Sequence, residues 1–187
     1  MVTLGGKRKV AQYCQWDGYP TGQGKTVAEF IAGKMDLPLF KEKVAALRKA
    51  TGKHVEKLWK ECGAEGDFVN METSARFEEK HPEFHRNTGA KVLEMIQDGK
   101  VSKVRLDEDF LKDGLFCEWA YELDLDREEL VIYSSRCVNE GAKIGNREYE
   151  TAPVKTIPFD QVEEEFGDIM ARYEAWSRSD QDEDFSI

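Results

Sequence analysis

Between Leu115 and Leu123 every second residue is apolar: Leu115, Cys117, Trp119, Tyr121 and Leu123 alternate with Glu118, Glu122 and then Asp124. Side chains of a strand point alternately to its two faces, so this period predicts a strand with one face in a core and the other toward water. A sheet covered on a single side accepts such a strand. Leu130 to Ser134 reads as its antiparallel return partner. At the start of the chain, Val2-Thr3-Leu4, the pair Gly5-Gly6 and the run Lys7 to Trp16 read as a second hairpin about a two-glycine turn. Both detectable pairings are hairpins, so the expected sheet is small and antiparallel.

Helical spacing fills most of the interval. Val27, Phe30 and Ile31 share one face; so do Phe40, Val44 and Leu47 after Pro38, and Val55, Leu58, Trp59 and Cys62 after Thr51-Gly52. Glu72 to Lys80 is a helix expected to end or kink at His81-Pro82, because a proline ring disfavours helix at the residue before it. Thr88 to Gln97 gathers Val92, Leu93 and Ile96 before an Asp98-Gly99 stop. Asn139 to Lys155 shows no period and reads as a loop, and Pro158 suits a first helical turn. Val162, Phe166, Ile169, Met170, Tyr173 and Trp176 then form the best amphipathic stripe in the chain. The expected fold is α+β: one domain over residues 1–178, with an acidic mobile tail at 179–187.

With 40% hydrophobic and 11% aromatic residues in 187, the chain has material for a real core, which excludes wholesale disorder. No apolar run approaches the roughly 20 residues of a membrane span, and residues 1–15 lack the long apolar stretch of a signal peptide, so a cytoplasmic setting without membrane partners is expected. The net charge of -10 is uneven. Residues 1–62 carry +6, residues 63–159 carry -8, and residues 160–187 carry -8. Acidity on that scale argues against direct binding to a nucleic-acid backbone and suits docking on a basic protein surface. Cys14, Cys62, Cys117 and Cys137 are too widely spaced for a zinc site and read as reduced, mostly buried thiols.

The most unusual segment is Gln15-Trp16-Asp17-Gly18-Tyr19-Pro20-Thr21-Gly22-Gln23-Gly24-Lys25-Thr26, set between a predicted strand and a predicted helix. Glycines there let backbone N–H groups approach an anion. The phosphate-binding pattern G-x-x-x-x-G-K-[ST] is missed by one position, since its first glycine falls on Tyr19. Gln15, Asp17, Tyr19, Gln23 and Lys25 are the candidate binding residues: two amides and a phenol that orient hydrogen bonds, a carboxylate acceptor and a point charge. The structural alternative is a rigid turn shaped by Asp17, Tyr19 and Pro20, with Trp16 anchoring it in the core.

The run Lys9 to Gly24 resembles the signature of a family of uncharacterised bacterial and bacteriophage proteins that share a QWDGYPxGQG stretch. Phe116-Cys117-Glu118-Trp119-Ala120-Tyr121 with Asp124-Leu125-Asp126 resembles the same family's second block. Members usually open with a Gly-Thr-Arg strand that this chain lacks, and Cys14 stands where many have glycine. The resemblance implies a phage or prophage setting and no particular reaction.

The other constellations are weaker. His81 and His85, four apart beside Glu78, Glu79 and Glu83, are expected to be a surface cluster, because Pro82 interrupts the helix a metal pair would need. Asp107/Asp109 and Asp124/Asp126 lack calcium-loop spacing and read as turn formers. Cys14 would be a nucleophile only with a histidine folded against it. Asp180, Asp182, Glu183 and Asp184, flanked by Trp176 and Phe185, could dock a basic groove. The functional expectation is a non-catalytic acidic protein, without metal or cofactor, that binds and modulates a host protein. The alternative is a small enzyme or a nucleotide- or anion-binding module built on residues 15–26.

Overall fold

The computed structural model of the chain describes residues 1–66, 69–113, 115–135, 152–179, 185 and 187. Strands β1 (Val2–Leu4) and β2 (Lys7–Val10) form the first hairpin. Gly5 and Gly6 both take left-handed φ, 62° and 64°, as the two central residues of a type I′ turn must. Helix α1 (Lys25–Glu29) runs on into a wider turn at Phe30–Lys34 and is followed by α2 (Leu37–Ala46), where the Asp36 carboxylate caps the Leu39 N–H. Next come β3 (Arg48–Lys49), α3 (Gly52–Glu61), α4 (Met71–Lys80), α5 (Val92–Gln97) and β4 (Lys103–Val104). The second hairpin is β5 (Trp119–Asp124) with β6 (Glu129–Ser134); β7 (Ala152–Pro158) and the long helix α6 (Val162–Arg178) close the fold. Among the described residues, no helix is long and apolar enough to cross a membrane.

The α+β class stands as expected, but the sheet is mixed rather than antiparallel. Its order is β2-β1-β5-β6-β7. The two hairpins meet through their first strands, β1 and β5, which run parallel with Val2 opposite Leu123. A parallel pair needs a long crossover, and here it carries α1 to α5. The stretch read as a loop before Lys155 contains part of β7, an edge strand antiparallel to β6. Pro153 and Pro158 disguise it in the sequence, and an edge is where a strand tolerates prolines. The preceding residues 136–151, Cys137 among them, lie outside the described residues. Pro158 ends this strand and is also the N-cap of a 3₁₀ turn (Phe159–Gln161) that leads into α6. Strand β5 starts at Trp119, not Leu115: the Phe116 and Cys117 N–H groups donate to the Asp113 carbonyl in a turn that leaves Leu115 and Phe116 exposed.

The helix-covered face of the sheet supplies the core. Val2, Trp119, Tyr121, Leu123, Leu130, Ile132 and Ile157 are buried against Val27, Phe30, Phe40, Val92, Ile96, Val162 and Phe166. A second, smaller cluster gathers Cys62, Phe77 and Phe84 under Trp59, whose ring stacks on Phe77 at 3.6 Å. His85 belongs to it. Only 2% exposed, with Nε2 3.1 Å from Ser74 Oγ, it is not part of a surface pair with His81. Burial lowers its pKa despite the nearby Glu78 carboxylate.

Helix α6 ends at Arg178, where the expected tail at 179–187 begins, and within that stretch Phe185 is 3% exposed among the rings of Trp119, Tyr173 and Trp176. Asp180, Asp182, Glu183 and Asp184 lie outside the described residues.

Candidate functional site

The 15–26 loop folds back on itself. Asp17 sits at φ 58°, a left-handed position that aspartate tolerates, and its carbonyl accepts the Gln23 N–H at 2.7 Å. The Tyr19 carbonyl takes the Gly22 and Gly24 N–H groups, at 3.0 and 3.3 Å. Two of the glycines serve contact. A Cβ on Gly22 would stand 2.2 Å from the Asp17 carbonyl oxygen, and one on Gly24 would stand 2.6 Å from Tyr121 Oη and 2.8 Å from Phe166 Cζ. The sequence is glycine-rich here because helix and loop approach the sheet more closely than a side chain permits.

The expected ligand-binding groups are used in the same way. Tyr19 Oη donates to Asp17 Oδ1 at 2.8 Å, a bond that raises the tyrosine pKa, and its ring stacks on Tyr173 with centroids 5.8 Å apart. Gln23 Oε1 accepts the Ala90 N–H at 2.8 Å, tying the loop to the turn before α5. The Gln15 N–H donates to the Arg86 carbonyl, while its Oε1 is buried without a partner. Lys25 lies along its own helix, Nζ 3.9 Å from Glu29 and half exposed. The loop therefore brings Asp17, Tyr19 and Gln23 together but turns Lys25 away from them. Trp16, expected to anchor the loop in the core, is 60% exposed; Tyr19 is 38% exposed, and Leu115 and Phe116 are also large apolar side chains at the surface.

Beneath the loop lies a cavity of about 120 Å³. Its floor is the sheet, with Val2, Trp119, Tyr121 and Leu123; Val27, Val92 and Leu93 come from the helices. Phe110 and Leu111, on a single 3₁₀ turn (Glu108–Lys112), cover one side, and Phe110 meets the Tyr13 ring edge-on at 4.5 Å. Polar groups are few. Gln12, Cys14, Gln23 and Asp107 reach the lining. Gln12 Nε2 donates to the His85 carbonyl at 3.2 Å, and its Oε1 is buried with no hydrogen-bond partner among the described residues. Asp107 is held by Arg105, with Nε 3.0 Å from its carboxylate. Cys14 Sγ donates to the Trp16 carbonyl at 3.3 Å, and burial raises its pKa, so the thiolate a nucleophile needs is disfavoured.

Both sequence blocks converge on this cavity: Gln12, Tyr13, Cys14, Gly18 and Gln23 from the first, Cys117, Trp119, Ala120 and Tyr121 from the second. Sequence reasoning named the loop and missed Gln12, Phe110, Leu111 and the 89–93 segment. The co-occurrence of the two blocks was the available signal. The carboxylate pairs behave as turn formers: Asp124 Oδ1 accepts the Asp126 and Arg127 N–H groups, Asp126 accepts those of Gly5 and Gly6, and Asp109 pairs with Lys112. Among the described residues, no group of three or more His, Cys, Asp or Glu side chains is placed to hold a metal ion, and Cys14 and Cys62 are free thiols. A scan of the chain against protein-family models finds no match, and searches of curated proteins and of solved structures find none either.

Proposed function

We propose that the chain is a phage- or prophage-type interaction protein that docks on a basic surface of a host protein, a nucleic-acid-handling or antiviral defence factor, and modulates it in the cytoplasm. The carrying observation is where the loop places its side chains. Its hydrogen-bonding groups close the loop, while Trp16 and Tyr19 are left at the surface and Tyr19 stacks on helix α6. Exposed aromatic side chains are what interfaces use as anchors. That helix carries exposed Glu163, Glu164 and Asp168, and residues 160–187 hold a net -8, so the complementary partner surface is basic. The resemblance of Lys9–Gly24 to bacterial and bacteriophage sequences supports the setting. The anion-binding alternative is less well supported, because Lys25 faces Glu29 and the glycines make packing contacts.

The test is capture of partners from nuclease-treated bacterial lysate on the tagged protein, eluted by a salt step. One stoichiometric basic protein released by salt is the expected result. Its capture should fall at least tenfold with Trp16→Ala/Tyr19→Ala, in keeping with anchors worth about 2 kcal/mol or more, and should weaken with Glu163→Lys/Glu164→Lys/Asp168→Lys. Capture that ignores both variants would overturn the assignment of this surface.

A further inference from the structure

We propose that the cavity under the 15–26 loop is a binding site for a small, neutral, single-ring aromatic molecule without hydroxyl or amine groups. Size sets the first limit. A dry apolar cavity of about 150 Å³ accepts benzene, and this one, about 120 Å³, is of the same order. Its lining sets the second. Val2, Val27, Val92, Leu93, Trp119 and Leu123 are uncharged, and the Asp107 carboxylate and Met1 amine, which belong to lining residues, are engaged by Arg105 and by the Tyr121 carbonyl, so an anion or a nucleotide would lose its hydration without compensation. The polar side chains set the third. Gln12 has its amide nitrogen bonded to the His85 carbonyl and its Oε1 sealed from water, and Gln23 Oε1 is taken by the Ala90 N–H, so a ligand hydroxyl or amine would go unpaired.

Access follows from the covering turn. Phe110 and Leu111 are only half buried and belong to a five-residue turn whose ion pair, Asp109 with Lys112, is internal to it. Arg8 with Glu108, at 3.6 Å, is the ion pair that joins this turn to the sheet. Displacing a single turn opens the space without disturbing a strand.

The experiment uses the purified full chain and phenol and toluene as probes, followed by thermal denaturation and by the Trp119 indole signal in ¹H–¹⁵N spectra. Toluene should bind saturably, raise the melting temperature and shift the Trp119 signal. Phenol should bind more weakly, because its hydroxyl loses water without gaining a partner. Val27→Phe and Leu111→Trp, which fill the cavity from helix α1 and from the covering turn, should each abolish binding; the second lies at the rim, where folding is least at risk. No saturable response to either probe, or a response that persists in both filled variants, overturns the site. Phenol that binds as tightly as toluene overturns the assignment of an apolar site. Because no partner protein is present, the result stands apart from capture in lysate.

Discussion

At the scale of single residues, glycine separates contact from flexibility. Gly24 and Gly33 lie one helix apart, yet a Cβ on Gly24 would stand 2.6 Å from Tyr121 Oη and one on Gly33 would meet nothing within 4 Å. The rings that would have to yield belong to buried Tyr121 and Phe166, and overpacking a filled core costs about 1–3 kcal/mol. Gly24→Ala should therefore lower the unfolding free energy by that amount, read as a fall in the urea midpoint. Gly33→Ala, in the helical turn after α1, should raise stability by about 0.5–1 kcal/mol, because alanine loses less backbone freedom than glycine. If the two variants move together, the glycines of the loop are present for conformational freedom and the contact argument fails.

At the scale of elements, the outer face of the sheet is stitched by one carboxylate. Glu122 of β5 accepts hydrogen bonds from the Thr3 hydroxyl on β1, from Tyr133 Oη on β6 at 2.7 Å and from the Arg8 guanidinium on β2 at 3.1 Å. Burial by itself would raise its pKa, and these partners bring it below the usual carboxylate value; burial and the same bond push Tyr133 up to about 12. The signs follow by linkage. The depressed Glu122 stabilises the fold above its unfolded value near 4.3 and loses that contribution as pH falls below it. The raised Tyr133 stabilises the fold below about 10 and loses its contribution as pH rises from there to about 12. Absorbance at 295 nm should show one tyrosine titrating last, and Tyr133→Phe should remove that step; a late step that survives would assign it to another ring. The alternation around Trp119 made the two faces of β5 legible in the sequence, but it put Glu122 in water. Three neighbours from other strands cover it, two of them from the strands β1 and β2 that the sequence did not place beside β5. The parallel join of β1 to β5 was invisible for the same reason, since local period carries no information about which distant strand is adjacent. Trp16 misled because hydrophobicity predicts burial only on average. The loop residues were found because glycine and aromatic clustering is local, whereas Gln12, Phe110 and Leu93 meet only through the fold.

At the scale of the molecule, the end of the chain returns to the place where the loop, the sheet and the last helix meet. Phe185 contacts Trp119 at the start of β5 and Tyr173 and Trp176 near the end of α6, with ring centroids 5.3 to 6.0 Å apart. Tyr173 in turn carries the stacked Tyr19. One buried ring thus couples the acidic end of the chain to the surface proposed to engage a partner and to the wall of the cavity, since Trp119 belongs to both. Truncating a core phenylalanine to alanine costs about 3–5 kcal/mol. A terminal segment can detach instead of leaving a void, which puts Phe185→Ala at the lower end, about 3 kcal/mol. The variant should also shift tryptophan emission to the red, because Trp119 and Trp176 lose a ring that shields them from water. Unchanged emission together with an unchanged urea midpoint would mean that the last residues do not hold the fold, and that the sequence reading of a free acidic tail describes them better.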